Sequence, residues 1–167
     1  SVRTVLALDP AASEASFDPG LLEQAVMNLV MNARDAMDES GGRLLVSTGD
    51  VVLEADDVRT GSEVRPGRFT TITVSDTGPG VDRDARHRIY EPFFSTKEGH
   101  SGLGLSAAFG IVRQSGGVLR IQSTPGEGTR ATIFLPAAGR GASASPAAAA
   151  PGDQAVAEPS SRTSAAR

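Results

Sequence analysis

The 167-residue chain has no cysteine, no tryptophan, two histidines and a single lysine. Without thiolates it can build neither a disulfide framework nor a Cys-ligated zinc site. No run approaches the ~20 apolar residues that span a bilayer, and there is no secretory signal pattern at the start. Positive charge is not in excess either. The formal net charge is −4, which argues against nucleic acid as the main partner. Of the 16 basic residues, all but Lys97 are Arg. A GC-rich coding bias explains that ratio together with the Ala and Gly excess, but the position of the lone ammonium is worth following.

What is present suffices for one domain with a real core. The composition breaks after Pro136. The stretch from Ala137 to Arg167 is rich in Ala, Ser, Pro and Gly, with Val156 its only large aliphatic side chain. Such a segment buries too little apolar surface to offset its ordering entropy, so residues 137–167 are expected to form a disordered tail or linker. Three Arg against Asp153 and Glu158 give that tail +1, which leaves −5 on residues 1–136. The chain runs from Ser1 straight into a strand-like Val2–Leu8, as expected of a piece of something longer.

Within residues 1–136, Asp18-Pro19 is a helix start: an N-cap followed by the helical position that tolerates Pro. Leu22, Val26, Leu29, Ala33 and Met37 continue at helical spacing to a Gly41-Gly42 stop. Strands are predicted over Leu44–Leu53 and Phe69–Ser75, with a polar loop over Asp56–Arg68. Asp82–Tyr90 suits a short helix and Gly104–Gln114 a longer one closed by Gly116-Gly117. Val118–Ser123 and Arg130–Leu135 flank a Thr124–Gly128 turn and form a hairpin. Helices interleaved with hairpin-linked strands imply a two-layer α+β sandwich rather than a doubly wound parallel sheet.

Asn28, Asn32 and Asp35 fall at i, i+4 and i+7 on one helix face, apart from the apolar stripe. A solvated helix back is one reading. Such faces are usually filled with Glu, Lys and Arg, however, whereas Asn is a poor helix former. Two Asn carbonyls one turn apart could ligate a hard cation such as Mg²⁺ beside a phosphate chain. The second long strand ends in Asp76-Thr77-Gly78-Pro79-Gly80. That is either a polar turn, or a carboxylate at a strand end whose glycines let the backbone approach a flat ligand. A carboxylate there can accept a hydrogen bond from an exocyclic amine. Glu91-Pro92-Phe93-Phe94-Ser95-Thr96-Lys97 is followed by eight residues holding three Gly that open a helix. A glycine-rich helix start presents free N–H groups to an anion, and Lys97 would add a mobile point charge. No P-loop is present. Gly102, Gly104 and Ala107 match a dinucleotide fingerprint, but no strand precedes them and the element order is wrong, so the Rossmann reading is rejected.

In this order the pieces resemble the catalytic ATP-binding domain of sensor histidine kinases, in the ATPase superfamily shared with DNA gyrase and the large heat-shock chaperones. Leu22-Glu23-Gln24 through Asn28-Leu29-Val30-Met31-Asn32-Ala33-Arg34-Asp35-Ala36-Met37 is similar to the asparagine box. Asp76–Gly80 resembles the first glycine box, Glu91–Lys97 the phenylalanine box, and Gly102-Leu103-Gly104-Leu105-Ser106 the second glycine box. Gly126-Glu127-Gly128-Thr129 and the closing Ile133–Pro136 also fit, so the resemblance covers nearly all of residues 1–136.

The resemblance implies a Bergerat-type fold, a mixed sheet covered on one face by helices, with ATP between the helices and a lid over about Glu91–Ser101. It assigns Mg²⁺ to Asn32, with Asn28 beside it. The adenine amino group goes to Asp76, supported through water by Thr129. The phosphates go to Lys97 and the Gly102–Leu105 backbone. Asp35, Gly78, Gly80, Val81, Thr96, Ser101, Gly102, Leu103, Gly104 and Leu105 complete the implied nucleotide contacts. Among all the residues the resemblance assigns, Asn28, Asn32 and Lys97 would serve catalysis.

Two positions depart from the pattern. Asp35 stands where many relatives carry Lys or Arg, and His100 stands in a short lid where a small residue is usual. Hydrolytic relatives carry Glu where this chain has Asn28, and a carboxamide cannot act as the base that activates water. That favours transfer to an external acceptor, which in this family is a His on a separate helical hairpin. His87 and His100 do not lie on such a hairpin. The implied partners are therefore a missing dimerisation and phosphoacceptor domain and a downstream response regulator or receiver domain, in a homodimeric parent. The implied location is the cytoplasm, with any membrane anchor elsewhere in the parent. Two other functions stay open on the residues alone: a degenerate nucleotide- or partner-binding module, and a stand-alone ATPase.

Overall fold

Asp18 and Pro19 start the first helix by the predicted chemistry: the Asp18 carboxylate accepts the N–H of Leu21 at 2.9 Å, and Pro occupies the first helical position. The computed structural model describes residues 1–38, 40–54, 65–82, 85, 88, 89 and 102–138. They form, in chain order, β1 (Val2–Ala7), α1 (Pro19–Ala36), β2 (Gly42–Leu53), β3 (Gly67–Asp76), α2 (Gly104–Gln114), β4 (Val118–Thr124) and β5 (Gly128–Pro136). Helix α1 ends where Gly41, at φ +67°, returns its N–H to the Met37 carbonyl at 2.8 Å. Helix α2 ends the same way at Gly116, at φ +77°. Of the predicted Asp82–Tyr90 helix, the described residues show two short turns, from Ala85 N–H to Asp82 O and from Arg88 N–H to Ala85 O. The remainder of that segment lies outside the described residues.

The strands make one mixed sheet in the order β1-β2-β3-β5-β4, with β1 parallel to β2 and the other pairs antiparallel. Period-two alternation sends Leu44, Ile72, Val74, Ala131, Ile133 and Leu119 to one face, where α1 covers them with Ala25, Leu29 and Ala33 and α2 with Ala108 and Val112. The two-layer α+β sandwich read from the sequence is the fold observed. The same register carries Asp76 and Thr129 onto the helix-covered face, two residues beyond Val74 and two before Ala131. The opposite face is mainly polar, as one-sided antiparallel sheets are. It holds Arg3, Arg43, Arg120 and Arg130, and a small edge-to-face pair of Phe69 and Phe134 with centroids 6.1 Å apart.

The connection from β1 to α1 is tied to the sheet by Asp50. Its carboxylate takes the side-chain and backbone donors of Ser13 and the Arg68 guanidinium at 2.9 Å, and these bonds hold it down at a pKa of about 2. Past Pro136 the chain stays hydrogen-bonded: Ala137 is buried and bridges Ala15, and Ala138 N–H donates to Glu14 O. Residues 139–167 lie outside the described residues.

One contact sets the geometry at the end of β3. A Cβ added to Gly128, at φ +98°, would stand 2.1 Å from the Asp76 carbonyl oxygen, and one added to Gly80, at φ +72°, 2.2 Å from the Thr124 carbonyl oxygen. The glycine-rich loop after β3 and the β4–β5 turn thus lie backbone on backbone, each admitting the other through a glycine. Gly128→Ala is expected to cost about 3 kcal/mol, from left-handed strain plus a backbone clash. Gly126→Ala, at φ +81° with open space around it, should cost about 1 kcal/mol. Urea unfolding of the two variants checks the difference.

Candidate functional site

Helix α1, the end of β3, the β4–β5 hairpin and the start of α2 enclose a cavity of about 350 Å³. That is within the range of small-molecule sites. Asn28, Asn32 and Asp35 line it from α1, so their face is not a solvated helix back. The buried stripe of α1 runs through Ala25, Leu29, Ala33 and Met37, and the two asparagines flank it on the side toward α2. Asn32 packs on the first turn of α2: a Cβ on Gly104 would lie 2.8 Å from its Oδ1. A side chain at 104 would push that carboxamide away from the helix start.

Asp76 stands in the cavity wall at 8% exposure. Its Oδ1 accepts the N–H of Gly78 at 2.9 Å and of Thr129 at 3.2 Å. Among the described residues, its Oδ2 has no partner. Burial pushes this carboxyl above its ordinary pKa, against the opposing pull of the two N–H bonds. Gly78 is pressed against Asp76, Ala36 and Met37, where a Cβ would come within 2.9 Å of Asp76 Oδ1. The loop itself is fastened at three points. Thr77 exchanges bonds with Arg43, Pro79 O takes the Gly126 N–H at 2.7 Å, and Val81 N–H donates to Ser123 Oγ at 2.8 Å. Gly80, Val81 and Thr129 line the cavity with Asp76.

At the other end, Gly102, Gly104 and Leu105 contribute to the wall. Gly102 turns at φ +64°, and Leu103 serves as N-cap without a side-chain hydrogen bond. Among the described residues no side chain caps the N–H groups of the first turn of α2, an arrangement suited to an anion. Leu103 and Gly78 sit beside the cavity rather than in its wall. Thr96, Lys97 and Ser101, with the lid expected over Glu91–Ser101, lie outside the described residues, as do His87 and His100. The cavity's apolar surface went unread in the sequence. Val74, Ile121 and Ala131 form its sheet side, with Met31 and Ile89 at its margin. The strand alternation held the signal, since Val74 and Ala131 are two residues from Asp76 and Thr129 and Ile121 is the cross-strand partner of Ala131.

Residues 17–139 match the family model described as histidine kinase-, DNA gyrase B-, and HSP90-like ATPase. The chain is 42% identical over 122 residues to the sensor kinase CckA of Brucella abortus, covering 71% of this chain and 13% of that protein. It is 31% identical over 139 residues to the sensory histidine kinase/phosphatase NtrB of Escherichia coli O157:H7, covering 81% of this chain and 37% of that protein. The chain thus spans well under half the length of these relatives. Among solved structures, the mycobacterial sensor histidine kinase MprB superposes with a TM-score of 0.60 at 28% identity, over 81% of this chain and 82% of that one. No described helix is long and apolar enough to cross a membrane.

The folded-state pKa of Asp76 lies above the unfolded one, so folding favours the protonated carboxyl. The stability contributed by this group is full below the ordinary carboxylate range and is lost as pH rises through the raised value. Asp76→Asn keeps an acceptor for Gly78 and Thr129 but carries no charge. It is expected to unfold at higher urea than the wild type at pH 7, with the gap closing below about pH 4. Urea titrations at both pH values check this; a gap that does not change with pH contradicts it.

Proposed function

The chain belongs to the histidine kinase-, DNA gyrase B- and HSP90-like ATPase family, and on that premise we propose that it is the ATP-binding catalytic domain of a sensor histidine kinase, passing the γ-phosphoryl of ATP to a histidine on a separate helical hairpin. One observation carries the reading: a buried carboxylate whose Oδ2 has no partner among the described residues shares a cavity with two helix-borne carboxamides and a helix start that no described side chain caps. An acceptor at one end and anion-seeking N–H groups at the other fit a base linked to phosphates.

In this reading Asp76 takes the exocyclic amine of adenine, with Thr129 beside it, and the base lies between Leu29 and the Ile121 and Ala131 side of the sheet. The turn formed by Gly78, Gly80 and Val81 lets the backbone approach the ring. The phosphates run toward the first turn of α2, cradled by Gly102, Leu103, Gly104 and Leu105. Ser101, Thr96 and Lys97 complete the cradle. Asn32, with Asn28 and Asp35 beside it, would hold Mg²⁺, whose oxygen preference suits a carboxamide. The ion supplies charge neutralisation between phosphates when bound. The γ-phosphorus leaves the bridging oxygen of ADP and bonds to the acceptor nitrogen, a reaction that asks of the protein chiefly positioning and electrostatics. Asn28 cannot take a proton from water, which disfavours hydrolysis as the main outcome. The partners are then a dimerisation hairpin bearing the acceptor His and a response regulator or receiver domain, in a homodimeric parent, with this domain in the cytoplasm. Residues 1–136 would be the catalytic unit and 137–167 a tail or linker whose first two residues, Ala137 and Ala138, stay hydrogen-bonded to that unit.

Mixing the chain with the parent's acceptor hairpin and γ-labelled ATP should place acid-labile, base-stable phosphate on the hairpin. Asn32→Ala and Asp76→Asn should each lower that transfer by about 100-fold. Tight ATP binding without transfer would point to a binding module, and rapid phosphate release by the chain alone to an ATPase. Lys97→Ala should weaken ATP binding about tenfold, the scale of one charged hydrogen bond. A calorimetric titration at fixed salt measures it, and an unchanged affinity removes Lys97 from the site.

A further inference from the structure

Ser123, on β4, stands beside the cavity wall and joins two of its residues. Its Oγ accepts the Val81 N–H at 2.8 Å, donates to the Gly128 carbonyl at 3.0 Å, and lies 2.9 Å from Thr129 Oγ1. A hydroxyl owns one proton and two lone pairs. The Val81 amide can only donate and the Gly128 carbonyl can only accept, so Ser123 spends its proton on Gly128 and one lone pair on Val81. What it has left for Thr129 is a lone pair. The arrangement that satisfies all three contacts makes Thr129 the donor in that contact and commits its single proton to Ser123. The Thr129 backbone N–H is committed as well, to Asp76 Oδ1 at 3.2 Å.

We infer that Ser123 is a positioning residue that fixes Thr129 Oγ1 as a pure hydrogen-bond acceptor, so that the cavity presents two acceptors, Asp76 Oδ2 and Thr129 Oγ1, to the edge of the bound base. This rests on the adenine-nucleotide reading above. An exocyclic amino group offers two N–H donors, one for each acceptor, directly or through a water that the acceptor orients. An exocyclic carbonyl at the same ring position offers none and meets lone pairs on both sides. The site therefore selects a 6-amino purine over a 6-oxo purine, and the selection depends on a serine that never touches the ligand. With Ser123 replaced by Ala, the Thr129 proton is released and can turn toward a carbonyl.

Titration of the full chain with ATP and with ITP, which differ at the 6-position and the adjacent ring proton, tests the wiring. The wild type should prefer ATP. Ser123→Ala should narrow that preference by about fivefold or more, the scale of one neutral hydrogen bond, with ATP weakened and ITP unchanged or improved. Ser123→Thr, which keeps the hydroxyl, should keep the preference. A preference that survives in Ser123→Ala, or is lost equally in Ser123→Thr, overturns the inference. If circular dichroism shows Ser123→Ala unfolded, Thr129→Val removes the acceptor without touching the Val81 and Gly128 bonds. It should narrow the preference too, and a full preference in that variant overturns the inference. A wild type that binds ATP and ITP equally overturns the wiring and leaves the ATP reading standing, whereas a wild type that binds neither overturns the ATP reading itself.

Discussion

A carboxylate placed on the core-facing side of a sheet is costly, and much of the site is arranged to keep Asp76 there. Two backbone N–H groups meet one of its oxygens, from Gly78 just ahead in the chain and from Thr129 across the sheet. The second donor requires β5 to begin directly beside the end of β3. It can do so only because Gly128 has no side chain where the Asp76 carbonyl passes. Gly80 repeats the device against Thr124. The hairpin turn therefore serves less as a connection between strands than as a buttress for the loop that carries the site. Burial still raises the Asp76 pKa in spite of these bonds, so the arrangement sacrifices some stability to hold an acceptor in a dry wall. In the proposed function that acceptor recognises the base, and the sacrifice is the familiar one of binding against stability.

Much of this was legible in the sequence because it is written in local chemistry. The Asp18-Pro19 start, the Gly41 and Gly116 stops and the alternation of β3 and β5 follow from caps, positive φ and period two, and each element formed where those rules place it. The asparagine face was legible as an oddity of composition. Its position was not, since helical spacing tells which residues share a face but not which neighbour that face meets. Only the approach of Gly104 to Asn32 shows that α2 stands opposite it. The apolar cavity wall was hidden for a related reason. Val74, Ile121 and Ala131 look like any core residues, and their exposure to a cavity depends on the helices leaving a gap above them. Ser123 was hidden more deeply. It is a polar residue in a hairpin strand, and its role exists only through the pairing of Ser123 with Thr129 across β4 and β5.

The charge balance bears on how such a site could hold a nucleotide. Residues 1–136 carry −5, so no general positive field draws in a polyphosphate. Four arginines, Arg3, Arg43, Arg120 and Arg130, are placed by the register on the sheet face away from the helices, with the sheet between them and the cavity. They point away from the cavity across the thickness of the sheet, so none of them is in reach of a ligand there. The donors that line the cavity are short-ranged: the amides at the start of α2, the carboxamides of Asn28 and Asn32, and in the proposed function Lys97 and a magnesium ion. Such donors act only once the phosphates are in contact, and each depends on the backbone being where it is. That makes the glycines at 80, 104 and 128 part of the electrostatics as much as of the fold. Each removes a Cβ where two backbones, or a backbone and a carboxamide, must touch for a fixed dipole to take the place of a net charge.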